Sequence, residues 1–230
     1  MTSLKNVILD LGGVIVKLDQ KVVIKAIANY IGIENVQAFQ TEDFQLLLLQ
    51  YERGKCSDSE FLVQLQQCFI NWNACHSTYA HSHFTPITEN SLLGSVPSLE
   101  EIKHIWNSMI LDMPLSALKC LKELKQKYRL FLLSNTNGLH IECVRNKVKQ
   151  EYAGLEFDTL FHRAYYSHCM GVNKPDPEIF RMVLQNENLC PEETLFVDDT
   201  KENVLAAKQL GLQPHHLVDE NLANFFLEKK

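Results

Sequence analysis

The chain has 230 residues, 46% of them hydrophobic, enough to bury a full core as one large domain or as a core with an inserted subdomain. A net charge of −6 without a long basic run argues against a nucleic-acid footprint or an anionic-membrane patch. Seven scattered cysteines without a CxxC pair read as reduced thiols, and the apolar part of MTSLKNVILDLGG is too short for a signal peptide, so the expectation is a soluble cytoplasmic protein with no membrane span.

In chain order, Val7–Leu9 is a continuous apolar run, the pattern of a central parallel strand covered on both faces, and it delivers Asp10 into a Gly12-Gly13 turn. Helical spacing follows over Gln20–Tyr30, Glu42–Tyr51 and Ser57–Trp72, the last opening on Ser57-x-x-Glu60, a capping box. Residues 73–98 break the rhythm with Ser, Thr, His and Pro; Cys75, His76, His81 and His83 gather there without the ligand spacing of a zinc site. A helix is predicted over Glu100–Met109. Beyond Pro114 the alternation is regular. A helix over Leu115–Lys127 leads to a strand over Tyr128–Leu133, a helix over about 140–150 and a short strand near Ala164–Ser167. A helix opened by Asp176-Pro177, a strand over Thr194–Val197, a helix of about Lys201–Leu210 stopped by Gly211, and a last strand around His216–Val218 complete the chain. This alternation predicts an α/β fold with a doubly wound parallel sheet, built from 1–16 and 112–230, with 17–111 as an inserted helical segment.

In such sheets ligands bind beyond the carboxyl ends of the strands. Four polar clusters fall at those ends: Asp10, Ser134-Asn135-Thr136, Lys174 in GVNKPDPEIF, and Asp198-Asp199. Alone, each has an ordinary reading as a turn residue, a helix cap or a solvated lysine. Together, a nucleophilic carboxylate, hydroxyl and amide donors, a lysine and an acidic pair suit a phosphoryl group held with a hard divalent cation. Arg53 lies in the insert, where a solvated charge is the ordinary role and a reach from the cap toward the site is the alternative.

LDLGGV, LLSNTN, NKPDPEIF and LFVDDTKEN resemble, in order, the four motifs of the haloacid dehalogenase (HAD) superfamily. YERGKCSDSEF and WNSMILDMP resemble its sugar-phosphate phosphatase and epoxide-hydrolase-N-domain branch, with 17–111 in the place of a type-one helical cap. The resemblance implies an Mg²⁺-dependent phosphatase acting on a small phosphorylated metabolite, a sugar phosphate by its branch, through an aspartyl-phosphate. It makes Asp10 the nucleophile and a metal ligand, and Gly12 a metal ligand through its carbonyl. Ser134 and Asn135 become phosphate binders, Lys174 the partner of nucleophile and phosphate, and Asp199 a metal ligand supported by Asp198.

One position departs from that pattern. The phosphatase motif carries a second aspartate where this chain has Gly12, a glycine expected to let the backbone turn tightly toward the cation. That aspartate protonates the leaving group and then activates water, help worth about 10²–10⁴-fold. Its absence predicts selectivity for phosphates with undemanding leaving groups. Asp19 is another carboxylate nearby, although the cap of the helix after it is its ordinary role. Two other readings stay open: a catalytically weak HAD-fold protein that binds a phospho-ligand or regulates a partner, and carbon–halogen or carbon–phosphorus hydrolysis on the same fold.

Overall fold

The computed structural model describes residues 3–31, 41–80, 97–218 and 220–227. Its centre is a five-stranded parallel sheet in the order β3-β2-β1-β4-β5. Strand β1 (Asn6–Leu9) is buried at every position, as a strand covered on both faces must be. It pairs with β2 (Arg129–Ser134) on one side and β4 (Thr194–Asp198) on the other, Leu9 lying beside Leu132 and Val197. The register brings the carboxyl ends of the three central strands to one level. Strand β3 (Arg163–Tyr166) adds to β2, and β5 (Gln213–His216) adds to β4.

Helices follow the strands and bury one stripe each. Helix α5 (Leu115–Lys127) turns Ala117, Leu118, Leu121 and Leu124 inward, a helical period of apolar positions. Helix α6 (Gly138–Glu151) is capped by Asn137, whose side chain accepts from the His140 amide. In α8 (Pro177–Asn186) Asp176 caps and Pro177 takes the first turn, as the sequence predicts, and Ile179, Phe180 and Val183 enter the core beside Ile8, Phe131 and Phe196. Fully burying each such side chain is worth about 1.5–3 kcal/mol. Short α7 (Ser167–Met170), α9 (Lys201–Gln209) and α10 (Leu222–Leu227) complete this part of the chain.

The first compact unit comprises 1–18, 52–55 and 110–230; the second comprises 19–51 and 56–109. The two chain crossings run side by side: Leu18 and Ile110 form an antiparallel bridge, and the Leu111 amide donates to the Lys17 carbonyl at 2.9 Å. The second unit is helical, built from α1 (Gln20–Ile31), α2 (Glu42–Glu52, all but its last residue), α3 (Asp58–Ala80) and α4 (Leu99–Asn107). Its aromatic core stacks Tyr51 on Phe61 at 3.9 Å and sets Phe61 5.1 Å from Trp106. The Ser57–Glu60 capping box forms in both directions, Ser57 amide to Glu60 at 2.7 Å and Glu60 amide to Ser57 at 3.2 Å.

Most boundaries fall within two residues of the sequence reading, and two differ by more. Helix α3 continues to Ala80, eight residues past Trp72, because residues 73–80 contain no glycine or proline to stop it. His81 and His83 lie outside the described residues, as do the side chains of Cys75 and His76. The last strand is Gln213–His216 rather than 216–218. It is a half-buried edge strand, where Pro214 is tolerated and the His215 ring stacks on Phe225 at 3.9 Å, so its polar sequence hides it. No helix among the described residues is long and apolar enough to cross a membrane.

Candidate active site

Asp10 leaves β1 at the point where the sheet's connections diverge to either side, the natural crevice of a doubly wound fold. The turn after it is closed by Gly13 N–H donating to Val16 and by the amides of Ile15 and Val16 donating to the Leu11 carbonyl. Gly13, not Gly12, takes the left-handed conformation, with φ of +72°. A Cβ there would lie 2.0 Å from Asp199 Oδ2, so both conformation and close approach demand glycine at 13. At Gly12 a Cβ would meet the Leu18 side-chain tip at 2.4 Å, and Leu18 is exposed and free to swing away.

Lys174 is the hub. Its buried ammonium donates to Asp10 Oδ1 at 2.7 Å, to Asp198 Oδ2 at 2.7 Å and to the Leu133 carbonyl at 2.9 Å. The lysine is fixed in turn by Asn135, which accepts from the Lys174 amide at 2.8 Å and donates to its carbonyl at 2.7 Å. The Asn135 side chain thus clamps the Lys174 backbone at both its amide and its carbonyl. Ser134, at the buried end of β2, makes one long contact, 3.5 Å from its hydroxyl to the Asn135 carbonyl. Thr136 is structural: its amide donates to Ser167 Oγ at 3.0 Å, and that hydroxyl donates back to the Thr136 carbonyl at 3.1 Å.

The two aspartates after β4 divide their work. Asp198 is fully buried and saturated, accepting from Lys174, from the Thr200 amide at 2.8 Å and from Asn203 at 3.0 and 3.1 Å. Asp199 is exposed, with Thr200 Oγ1 at 3.3 Å, while its carbonyl faces His216 Nε2 at 2.9 Å. Oxygens of Asp10, Asp198 and Asp199 lie within 4.8 Å of one another. Burial pushes the Asp10 carboxyl up to about 7 against the pull of Lys174, and Asp198 adds repulsion. Burial and the Asp198 charge likewise raise Asp199. Burial alone would lower the Lys174 ammonium, but the Asp10 and Asp198 carboxylates outweigh it and hold it above its ordinary value. This excess of carboxylate over lysine, with hard oxygen donors only, fits a small divalent cation such as Mg²⁺.

Of two further residues in this part of the molecule, one takes the less ordinary of its two sequence readings and the other escapes that reading. Arg53 is not a solvated charge: its Nε donates to Asn173 Oδ1 at 2.8 Å, next to Lys174. Glu52, which the sequence offers only inside YERGKCSDSEF and with no role, has its carboxyl raised to about 7 by burial, against an opposing pull from the Lys174 charge. The one sequence signal is the glycine that follows them, Gly54, which adopts φ of +64°. Asp19 takes its ordinary role, its carboxylate accepting from the Lys21 amide at 2.9 Å to cap α1.

A family model described as haloacid dehalogenase-like hydrolase matches residues 4–211. The chain belongs to the haloacid dehalogenase-like hydrolases. A D-ribitol-5-phosphate phosphatase of Bacteroides thetaiotaomicron is 29% identical to this hydrolase over 217 residues, covering 91% of this chain and 90% of that one. A HAD-family enzyme from the same organism, solved with magnesium and inorganic phosphate, is 29% identical with a TM-score of 0.77 over 97% of this chain and all of that chain. A HAD-like hydrolase from Porphyromonas gingivalis is 25% identical, with a TM-score of 0.76 over 99% of this chain and 98% of that one. The L-2-haloacid dehalogenase of Xanthobacter autotrophicus shares the fold at 19% identity and a TM-score of 0.55 over 99% of this chain and 84% of that one.

Proposed function

We propose that this hydrolase cleaves the phosphate monoester of a small polyol or sugar phosphate, with Asp10 as nucleophile and Mg²⁺ as cofactor. The observation that carries the reading is the buried Lys174 ammonium held between Asp10 and Asp198, with a third carboxylate, Asp199, within 4.8 Å of both. A dehalogenase needs no such surplus of carboxylates, whereas a phosphate dianion can enter beside them only with a cation present. The family and the phosphatase relative support the reading.

Asp10, Asp199 and the Gly12 carbonyl would hold the cation, with Asp198 fixing Lys174 and the start of α9. Bound there, Mg²⁺ supplies charge neutralisation and orientation of the phosphoryl oxygens. Lys174 holds the Asp10 carboxylate at one oxygen and presents positive charge to the phosphoryl group. Ser134 Oγ and the Asn135 backbone are the remaining donors toward it. The Asp10 oxygen attacks phosphorus, the ester bond breaks toward the leaving oxygen, and water then releases phosphate from the aspartyl-phosphate.

Hydrolysis of p-nitrophenyl phosphate is expected to require Mg²⁺. It should fall at least a hundredfold in excess EDTA or in Asp199→Asn, and recover in the EDTA-treated wild type when Mg²⁺ is restored. Undiminished turnover in EDTA would exclude the metal-assisted reading. Mg²⁺-independent binding of phosphate without turnover would favour the phospho-ligand-binding protein instead.

A further inference from the structure

The proposed reaction needs a proton for the leaving oxygen and a base for the attacking water, and position 12 offers neither. Asp199 has its place beside Gly13, Asp198 is saturated, and Asp19 caps a helix. The segment 52–55 belongs instead to the compact unit that contains Asp10 and Lys174. It is anchored twice. Arg53 Nε bonds the buried Asn173 side chain at 2.8 Å. Gly54 packs so tightly that a Cβ would sit 2.1 Å from the His168 carbonyl, in a left-handed conformation that other residues resist. The first anchor ties the residue after Glu52 to the residue before Lys174. The Glu52 carboxyl is partly buried, and among the described residues no hydrogen bond or ion pair engages it. A carboxyl withdrawn from water without a partner is held toward its neutral, proton-carrying form.

We propose that Glu52 is the proton shuttle of this site, replacing from the end of α2 the side chain that Gly12 lacks, with Arg53 and Gly54 as its positioning residues. The assignment rests on the phosphatase reading. As Asp10 forms its bond to phosphorus, the ester oxygen leaves with the bonding electron pair and takes the proton of the Glu52 carboxyl, giving alcohol and the Glu52 carboxylate. Glu52 then removes a proton from water as that water's oxygen attacks phosphorus. The Asp10–phosphorus bond breaks with its electrons returning to Asp10, and phosphate departs with Glu52 protonated again. Burial raises the carboxyl to about 7 against the counter-pull of Lys174, which suits a group that must give and take a proton near neutrality.

The test is a series of aryl phosphates, from 2,4-dinitrophenyl to phenyl, together with an alkyl phosphate, assayed with Mg²⁺ on wild type and Glu52→Gln. Alkyl phosphate hydrolysis is expected to fall by about 10²–10⁴-fold in the variant, and the wild type to depend only weakly on the leaving group. Release of dinitrophenolate needs no acid, so Glu52→Gln should give a first-turnover burst of one equivalent per enzyme and then stall, its base missing. Equal losses in the first-turnover rate on every substrate, a change confined to KM, or unchanged alkyl phosphate turnover overturns the assignment and leaves the phosphatase reading intact. A wild type that hydrolyses no member of the series with Mg²⁺ overturns both. Glu52→Gln should also melt no lower than the wild type at pH 8. The wild-type carboxyl's contribution is present below its unfolded value of 4.5 and lost as pH rises to about 7, so a lower melting point at pH 8 counts against the shuttle.

Discussion

Replacement of Asp10 by asparagine is expected to lower turnover by a factor on the order of 10⁴ or more while leaving the molecule folded. An amide offers phosphorus a far poorer nucleophile than the carboxylate and cannot carry the phosphoryl group to water. The fold should tolerate the change because the supports of the site do not depend on Asp10. Lys174 keeps its bonds to Asp198 and the Leu133 carbonyl, and β1 keeps its pairing to β2 and β4. Circular dichroism and melting should therefore match the wild type while hydrolysis of p-nitrophenyl phosphate is lost. Residual turnover within tenfold of the wild type would remove Asp10 from the nucleophile's role.

The largest stability effect is expected at Lys174. Its ammonium is buried among two carboxylates and a carbonyl, at 2.7 to 2.9 Å. Lys174→Met would leave the Asp10 and Asp198 carboxylates buried and uncompensated, which costs about 3–5 kcal/mol. For a chain of this size that is a fall in Tm of about 6–20 °C at pH 8. The sign of the pH dependence is fixed: in the variant the orphaned carboxylates bind protons more tightly folded than unfolded, so its stability drops as pH rises. The deficit should shrink toward pH 5 and also on addition of Mg²⁺. A melting point within 2 °C of the wild type at pH 8 would mean that the ammonium contributes little net stability.

Much of this was legible in the sequence because the signals were local. The continuous apolar run of β1, the Asp176-Pro177 opening of α8, the Ser57–Glu60 box and the span of α5 each follow from residues close together in the chain. The polar clusters at strand ends were legible because a parallel sheet sends all its carboxyl ends to one edge. What the sequence hid depends on contacts across the fold. Nothing local says that the Asn135 amide clamps the Lys174 backbone thirty-nine residues away, or that Gly13 must make room for Asp199. Glu52 hid most completely: it ends a helix in a run that reads as surface, and only the anchoring of Arg53 and Gly54 shows that its segment belongs with the sheet. Strand β5 was displaced for a different reason, since an edge strand need not be apolar.

The central claim is that phosphate leaves in two displacements, the first by Asp10 and the second by water. Stereochemistry at phosphorus tests it most directly, because each in-line displacement inverts the centre. A phosphate monoester made chiral with three oxygen isotopes should therefore pass its phosphoryl group to an added alcohol acceptor, giving a new monoester with overall retention of configuration. Inversion would show that water or the acceptor attacks the substrate directly, with no phosphorylated Asp10 between.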